Sequence, residues 1–104
     1  MSSLDHIFDA LADPTRRALL ERIGKGEVRV TDLARPFPIS LNSISKHIRV
    51  LESAKLVRRR RVGREHLLSL NPVPLDEVAA WIESHRIEWN AAFDRLEKAL
   101  EKKS

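Results

Sequence analysis

The sequence of 104 residues contains no cysteine. That absence excludes disulfides, thiolate metal ligands and thiol-based redox sensing, and it fits a reducing compartment, so we expect a cytoplasmic protein. No apolar run is long enough to cross a membrane. The N-terminus, Met-Ser-Ser-Leu-Asp-His, lacks the basic and apolar regions of a signal peptide. With no internal repeat or low-complexity linker either, we expect one small domain spanning residues 1–104.

The features of an enzyme are missing too. No serine or histidine lies in the motif of an activated nucleophile, no glycine-rich phosphate loop is present, and no pair of carboxylates is marked out. Among His6, His66 and His85, no two lie at metal-ligand spacing with a third ligand. We expect His85 and Glu88 to be an exposed or interface pair, and His47 to have a packing or hydrogen-bonding role. The sequence thus predicts no enzymatic activity, no cofactor and no metal site.

Positive charge is concentrated in one segment. Residues 41–64 contain eight lysines or arginines and one acid, Glu52, so this segment has a net charge of +7. Because the whole chain is only +4, the remainder is net −3. A local field of this kind attracts a polyanion such as a nucleic acid. An arginine run can also be an ordinary solvated hairpin, but the polar helix face next to it favours groove or phosphate contact.

Two helices are predicted at the start of the chain. The first, residues 4–12, has an apolar face at helical spacing. Its members are Leu4, Ile7, Phe8 and Leu11. Asp13 and Pro14 form the N-cap and first position of a second helix, which ends at residues 24–26. Residues 28–30 predict a minor strand, and Thr31 is expected to cap a brief third helix over residues 32–35.

A fourth helix, residues 41–54 with Ser40 as its N-cap, is predicted to be amphipathic. Its apolar side consists of Leu41, Ile44, Ile48 and Leu51. Its polar side consists of Asn42, Lys46, Arg49 and Ser53, flanked by Ser43 and Ser45. Such a face suits a major groove about 12 Å wide, where asparagine pairs with adenine, lysine or arginine with guanine, and serine with base edges or phosphate.

An arginine-rich hairpin follows. Residues 56–61 and 65–70 predict two strands, joined at a tight turn where Gly63 supplies positive φ. A polar-faced helix followed by a basic hairpin is the layout of a winged helix that binds duplex DNA. Strand alternation leaves open which arginines face the DNA. The predicted DNA-contacting residues are Ser40, Asn42, Ser43, Ser45, Lys46, Arg49, Arg58, Arg59, Arg60, Arg61 and Arg64.

A long final helix, residues 75–100, has an apolar stripe that exceeds what a domain this small can cover by itself. We therefore predict that it forms a homodimer interface together with the first helix. The predicted interface residues are Leu4, Ile7, Phe8, Leu11, Leu75, Val78, Ile82, Trp89, Phe93 and Leu96. The aromatic side chains could instead line an effector pocket, but on an amphipathic helix we favour an interface role.

Three motifs carry a family resemblance. They are Ala10-Leu-Ala-Asp-Pro-Thr-Arg-Arg-Ala-Leu-Leu-Glu-Arg-Ile23, Ser43-Ile-Ser-Lys-His-Ile-Arg-Val-Leu-Glu-Ser-Ala-Lys-Leu-Val57 and Gly63-Arg-Glu65. In this order and spacing, residues 4–100 resemble the arsenical-resistance-repressor (ArsR/SmtB) family of bacterial regulators. The resemblance implies a homodimeric winged helix that represses transcription, with the first and last helices at the interface. It also implies that the helix after Ser40 is the recognition helix and that residues 58–66 are the wing.

The chain departs from the metal-sensing members of that family. Their third-helix site needs a pair of cysteines, and here Arg29 and Thr31 occupy the matching stretch. Their last-helix site pairs an Asp-x-His with a later His-x-x-Glu or His-x-x-His. Here only His85-x-x-Glu88 is present, and residues 72 and 74 are prolines. The resemblance therefore extends to the fold and to DNA binding, and it stops short of the metal chemistry.

The sequence predicts a mainly α fold with a small antiparallel hairpin, a winged helix-turn-helix in the order α-α-(β)-α-α-β-β-α. The function predicted is a homodimeric DNA-binding repressor on a near-palindromic operator, with any effector undetermined. A basic RNA-binding module is a first rival, although no aromatic residue lies between Ile39 and Asn71 to stack on bases. A small enzyme, and a module whose wing binds an acidic protein, are the others.

Overall fold

The computed structural model describes residues 2–102, and these form five helices and one three-stranded sheet. In chain order the elements are α1 (Ser3–Leu11), α2 (Pro14–Ile23), β1 (Val28–Arg29), α3 (Val30–Ala34), α4 (Leu41–Ser53), β2 (Val57–Val62), β3 (Glu65–Leu70) and α5 (Val73–Glu101). Both the element order and the mainly helical fold class agree with the prediction from sequence.

Local capping sets the start of the first two helices and of α4. In α1, Ser2 and Asp5 form a reciprocal capping box. In α2, the Asp13 carboxylate accepts from the backbone N–H of Arg16, and Pro14 lies at the first helical position. The Ser40 hydroxyl oxygen accepts from the backbone N–H of Ser43 at the start of α4. The predicted N-caps Asp13 and Ser40 are thus confirmed.

The predicted cap of the third helix is wrong. The helix α3 begins at Val30, and the residue in the cap position is Arg29, which makes no side-chain capping hydrogen bond. Arg29 is held in an extended conformation because it is the last residue of β1 and pairs with Leu67 of β3. Strand pairing, rather than a threonine hydroxyl at position 31, therefore determines where α3 begins.

The sheet has the order β1-β3-β2 with antiparallel pairing throughout, so β3 is its central strand. The hairpin turn contains Gly63 at φ +62°, as predicted. The strand β2 begins at Val57 rather than at residue 56. Leu56 instead donates its backbone N–H to Leu51 O at 3.0 Å, which ends α4 in a Schellman motif with Lys55 at φ +61°.

The core lies between the sheet and helices α1 to α4. Its fully buried large side chains are Ile7, Leu19, Ile23, Leu33, Ile44, Ile48, Leu51, Leu56 and Leu68. Three of these, Ile44, Ile48 and Leu51, come from the predicted apolar side of α4. The prediction that Leu41 belongs to the same buried side is wrong, because Leu41 is the first residue of α4 and is 53% exposed.

The helix α5 extends far beyond this core. Its 29 residues correspond to a length of about 43 Å. The radius of gyration is 18.8 Å, whereas a compact chain of 100 residues has roughly 13 Å. Only the start of α5, at Leu75 and Val78, packs against the core. Both prolines that precede Leu75 are accommodated, since α5 begins at Val73 and Pro74 lies in its first turn.

Candidate nucleic-acid interface

The outer face of α4 presents three polar side chains to solvent. Asn42, Lys46 and Arg49 are exposed, and they lie opposite the buried Ile44 and Ile48. Because the apolar side of α4 is buried in the core, its polar side must face the solvent. Of the predicted serines, Ser45 is half-buried beside this face. Ser40 and Ser43 are both used in capping the helix, and their hydroxyl oxygens lie 3.1 Å apart.

The helix α4 is held against α1 and α2 by a polar network around Arg16. Arg16 Nε donates to Ala10 O at 2.7 Å and Nη2 donates to Asp9 O at 3.0 Å, so the guanidinium satisfies carbonyls at the end of α1. Its Nη1 lies 3.4 Å from Nδ1 of His47 in α4. The hydrogen-bonding role predicted for His47 is therefore confirmed. Arg16 links three helices and so positions the outer face of α4.

Asp13 belongs to the same network. The backbone N–H of Arg16 donates to Asp13 Oδ2 at 3.0 Å and lowers the pKa of this carboxyl. The side chains of His47 and Arg16 add to the effect, and Asp13 Oδ2 lies 3.8 Å from His47 Nδ1. The carboxylate thus caps α2 in its charged form and contacts α4 at the same time.

The four consecutive arginines of β2 divide between the two faces of the sheet. Arg59 lies opposite the buried Leu68 in the ladder, so Arg59 and Arg61 share the face turned toward the helices. Arg58 and Arg60 lie on the other face. The pairing with β3, which sequence alone left open, decides this division.

Two of these arginines form bidentate ion pairs within the chain. Arg59 donates to both carboxylate oxygens of Glu52 in α4, at 3.2 and 2.7 Å. Arg60 donates to both oxygens of Glu27, at 2.9 and 2.7 Å. The side-chain hydrogen bond from Arg60 lowers the pKa of Glu27, and the same bond raises the pKa of Arg60. These pairs attach the wing to α4 and to the segment before β1.

The remaining wing arginines differ in their contacts. Arg58 Nη2 donates to Asn71 Oδ1 at 3.0 Å, and Arg61 Nε donates to the carbonyl oxygen of Gly63 at 3.0 Å. Within residues 2–102, Arg64 at the turn forms no ion pair, and neither does Lys46 or Arg49 of α4. Free positive charge is therefore located at the tip of the wing and on the outer face of α4.

A cleft of about 350 Å³ separates α4 from the wing. Its lining residues are Arg29, Val30, Thr31, Leu41, Ser45, Arg59, Arg64, Glu65 and His66. His66 has a buried Nδ1 without a hydrogen-bond partner, and Arg29 is paired with Glu65 at 3.1 Å. The cleft brings predicted contact residues from the helix and the wing together. It also includes Leu41, which the helical pattern placed in the core.

Comparison with known proteins identifies the family. The model of a helix-turn-helix domain matches residues 11–60. The HTH-type transcriptional regulator Rv2034 of Mycobacterium tuberculosis is 42% identical over 73 residues, which cover 70% of this chain and 68% of that protein. A crystal structure of an ArsR family transcriptional regulator superposes with a TM-score of 0.80 at 40% identity, covering 85% of this chain and 91% of the other. The chain belongs to the ArsR family of transcriptional regulators.

Further relatives agree with this assignment. The transcriptional repressor SdpR of Bacillus subtilis is 34% identical over 79 residues, covering 76% of this chain and 88% of that protein. The solution structure of a homodimeric winged helix-turn-helix domain from Mycobacterium bovis has a TM-score of 0.66 at 23% identity, covering 83% and 80% of the two chains. The resemblance noted from the sequence motifs, and the winged-helix fold expected from it, are confirmed.

In this ArsR family member, the predicted interface residues of α1 and α5 fall into three groups. Phe8, Ile82, Trp89, Phe93 and Leu96 are exposed large apolar side chains. Leu11, Leu75 and Val78 are only half-buried and pack against the core, and Leu4 is also half-buried. The prediction that Ile7 lies at the interface is wrong, because Ile7 is only 1% exposed within a single chain and cannot contact a second chain.

An aromatic cluster joins α1 to α5. The rings of Phe8 and Trp81 meet edge to face with centroids 5.6 Å apart, and Trp81 meets Trp89 in the same way at 5.7 Å. His85 stacks on Trp89 at 5.4 Å, and its Nδ1 lies 2.8 Å from the carbonyl oxygen of Trp81. Trp81, as an aromatic residue of this helix, and His85, as part of an exposed or interface pair with Glu88, were both considered for the interface, but neither is in the list of ten predicted interface residues. Their spacing from Trp89, eight and four residues, could have shown that they share its face.

Residues 2–102 form neither a cluster of metal ligands nor a membrane-spanning helix. No group of three or more histidine, aspartate or glutamate side chains there is arranged to hold a metal ion. No helix in the same range combines the length and apolarity needed to cross a bilayer. The lack of metal sensing stays a prediction, which rests on the cysteine-free sequence.

Proposed function

We propose that this ArsR family chain is a repressor that reads a specific duplex DNA sequence with α4 and holds the backbone with its wing. The observation that carries the proposal is the exposed face of Asn42, Lys46 and Arg49. It lies on a helix whose opposite side is buried, and it adjoins a cleft lined by wing arginines. Such a face has the donors and acceptors needed to read base edges in a major groove.

Charge supports the same function. The net charge of +7 on residues 41–64 already counts Glu52, which is paired with Arg59, and Arg60 of the same segment is paired with Glu27 outside it. Arg64, Arg49 and Lys46 lack such partners within residues 2–102. They are therefore the side chains we assign to phosphates and bases, whereas Arg59 and Arg60 position the wing. This division narrows the predicted set of wing contacts, for which the sequence left open which arginines face the DNA.

The proposed functional unit is a homodimer. The helix α5 projects beyond the core and exposes an apolar stripe that includes Trp89, Phe93 and Leu96. Burying that stripe against a second copy would remove a large apolar surface from water. The Mycobacterium bovis domain, which has the same fold, is described as homodimeric. A symmetric dimer matches a near-palindromic operator with half-sites about 10 bp apart, or a multiple of that.

A selection experiment tests the function directly. A pool of random duplexes is equilibrated with the protein, and the bound fraction is amplified and sequenced over several rounds. We expect an inverted repeat to be enriched. The same pool made as duplex RNA is the control, and enrichment of RNA sequences in place of DNA would favour the rival RNA-binding function.

The salt dependence of binding to the selected duplex gives a second measurement. If roughly six to ten phosphates are contacted by a dimer, affinity should fall about 10³- to 10⁵-fold between 50 and 200 mM salt. An affinity that hardly changes over that range would contradict electrostatic binding to the DNA backbone.

A further inference from the structure

The first residue of the recognition helix is an exposed leucine among polar neighbours. Leu41 is 53% exposed, although Ile44 and Ile48 further along the same helix are fully buried. Ile39, just before the cap residue, is 41% exposed. Leu41 is not a member of the core cluster, so replacing its side chain would not remove any core packing. Packing within the chain therefore does not explain it.

The position of Leu41 is that of a base-reading residue. The N-terminal residues of a recognition helix contact base edges in the helix-turn-helix proteins. Leu41 precedes Asn42, the foremost polar residue of the outer face, and it shares the cleft between α4 and the wing with Ser45 and Arg64. It is not part of the aromatic cluster that α1 and α5 form around Trp89.

We infer that Leu41 recognises the 5-methyl group of a thymine in each half-site. This rests on the proposed function, since it assumes that α4 enters a major groove. The thymine methyl is the one apolar group that the four base pairs present there. Contact between the thymine methyl group and Leu41 removes both apolar surfaces from water, and it requires no hydrogen bond. Lys46 and Arg49 would select guanine, and Asn42 adenine, so Leu41 adds the missing thymine preference.

Replacing thymine by uracil tests the inference, because the two bases differ only by the methyl group. The probe is the duplex enriched from the random pool, in which each thymidine of one half-site is changed singly to deoxyuridine. We expect one position at which this change weakens wild-type binding about fourfold, the value for loss of one buried methyl or methylene group. At that position, Leu41→Ala should bind the thymine and uracil duplexes equally.

The matched control is Val73→Ala. Val73 is also an exposed apolar residue, but it lies at the start of α5 next to Asn71, whose side chain donates to Lys55 O just after the C-terminal end of α4. This variant should keep the full difference between thymine and uracil. If Leu41→Ala binds too weakly to measure, Leu41→Val keeps part of the side chain and should show a smaller difference than the wild type. Circular dichroism checks that each variant retains its helix content.

Three results would overturn the inference. The wild type could be indifferent to uracil at every position, the enriched half-site could lack thymine, or Leu41→Ala could retain the full difference. In each of these cases DNA binding itself would stand. If no duplex is enriched from the pool by the wild type, the proposed function fails, and this outcome is distinct from the other three.

Discussion

Arginines that look alike in the sequence have different roles because their partners differ. The run from Arg58 to Arg61 is uniform, yet Arg59 and Arg60 face carboxylates whereas Arg61 contacts a backbone carbonyl. A guanidinium already paired bidentately loses that pair if it moves to a phosphate. By the same reasoning Arg64, at the wing tip, is free to bind an anion, because it has no ion-pair partner within residues 2–102.

Asn42 is the residue for which we predict the largest effect on specificity. Asn42→Ala should weaken binding to the selected operator by about 1–3 kcal/mol, since a bidentate contact to adenine would be lost, and should leave random DNA unaffected. Fluorescence anisotropy with labelled duplexes measures both affinities. Asn90→Ala, the same change at an exposed position of α5, is the control. Equal losses on both DNAs would show that Asn42 contacts the backbone only.

Lys55 is the one residue other than glycine with positive φ in the described chain, residues 2–102, at +61°. An L residue in this conformation costs roughly 1–2 kcal/mol, and the greater freedom of glycine in the unfolded chain offsets about half of that. Lys55→Gly should therefore raise the free energy of unfolding by about 0.5–1 kcal/mol, measured by urea denaturation. Lys25→Gly, at a position without positive φ, should give no gain. Equal effects of the two variants would contradict this account.

At the level of elements, the wing is positioned by one backbone pairing and two ion pairs. Backbone pairing with β3 sets its register, the Glu52–Arg59 pair attaches it to α4, and the Glu27–Arg60 pair attaches it to the turn before β1. Both ion pairs remain accessible to solvent, the Glu27–Arg60 pair more than the Glu52–Arg59 pair, so each contributes only modestly to stability by itself. Their main effect is to fix where the hairpin lies relative to the recognition helix.

This positioning leads to different expectations for two wing arginines. Arg64→Ala should flatten the plot of log affinity against log salt by about one unit per lost phosphate contact. Arg60→Ala should change that slope less, because its charge is paired with Glu27 in the free protein. Glu27→Gln should strengthen binding to cognate and random DNA alike by freeing Arg60. The reverse order of the two slopes would show that Arg60, and not Arg64, contacts the backbone.

For the whole molecule, the protruding helix is the dominant feature. A single chain leaves the C-terminal part of α5 with no core to pack on, and the exposed side chains include Phe93 and Leu100. A second copy that covers this stripe would also bring two recognition helices to one DNA molecule. Linking two half-site contacts raises the effective concentration of the second, so self-association and operator affinity are expected to change together.

Trp89 lies in the middle of the exposed stripe and is the expected anchor of the dimer. Trp89→Ala should weaken dimerisation by about 2–4 kcal/mol, as for a buried aromatic at an interface centre, and operator affinity should fall with it. Analytical ultracentrifugation over a concentration series measures the effect. Ile87→Ala is the control, because Ile87 is 81% exposed and lies on the opposite side of α5 from Trp89. A wild type that remains monomeric at micromolar concentration yet binds its operator tightly would refute the dimer.

The sequence by itself determined the features that depend on neighbouring residues. Asp13 and Ser40 cap their helices, Gly63 makes the hairpin turn, and the spacing of Ile44, Ile48 and Leu51 orients α4. Capping and helical periodicity act over a few residues, so they can be read before the fold is known. The family motifs lie in these same segments, and for that reason the fold class was predictable as well.

Only the tertiary structure decided which side chains face a partner far away in the chain. Glu27 and Arg60 are 33 residues apart, and they meet because Glu27 immediately precedes β1, Arg60 lies in β2, and both strands flank the central strand β3. Ile7 is inside and Leu41 outside, although each fits an apolar helical pattern. Periodicity gives the direction of a side chain around its own helix, but burial depends on whether another element lies in that direction. The side chain of Ile7 points toward the core and is buried there. The side chain of Leu41 points into the cleft between α4 and the wing and stays exposed.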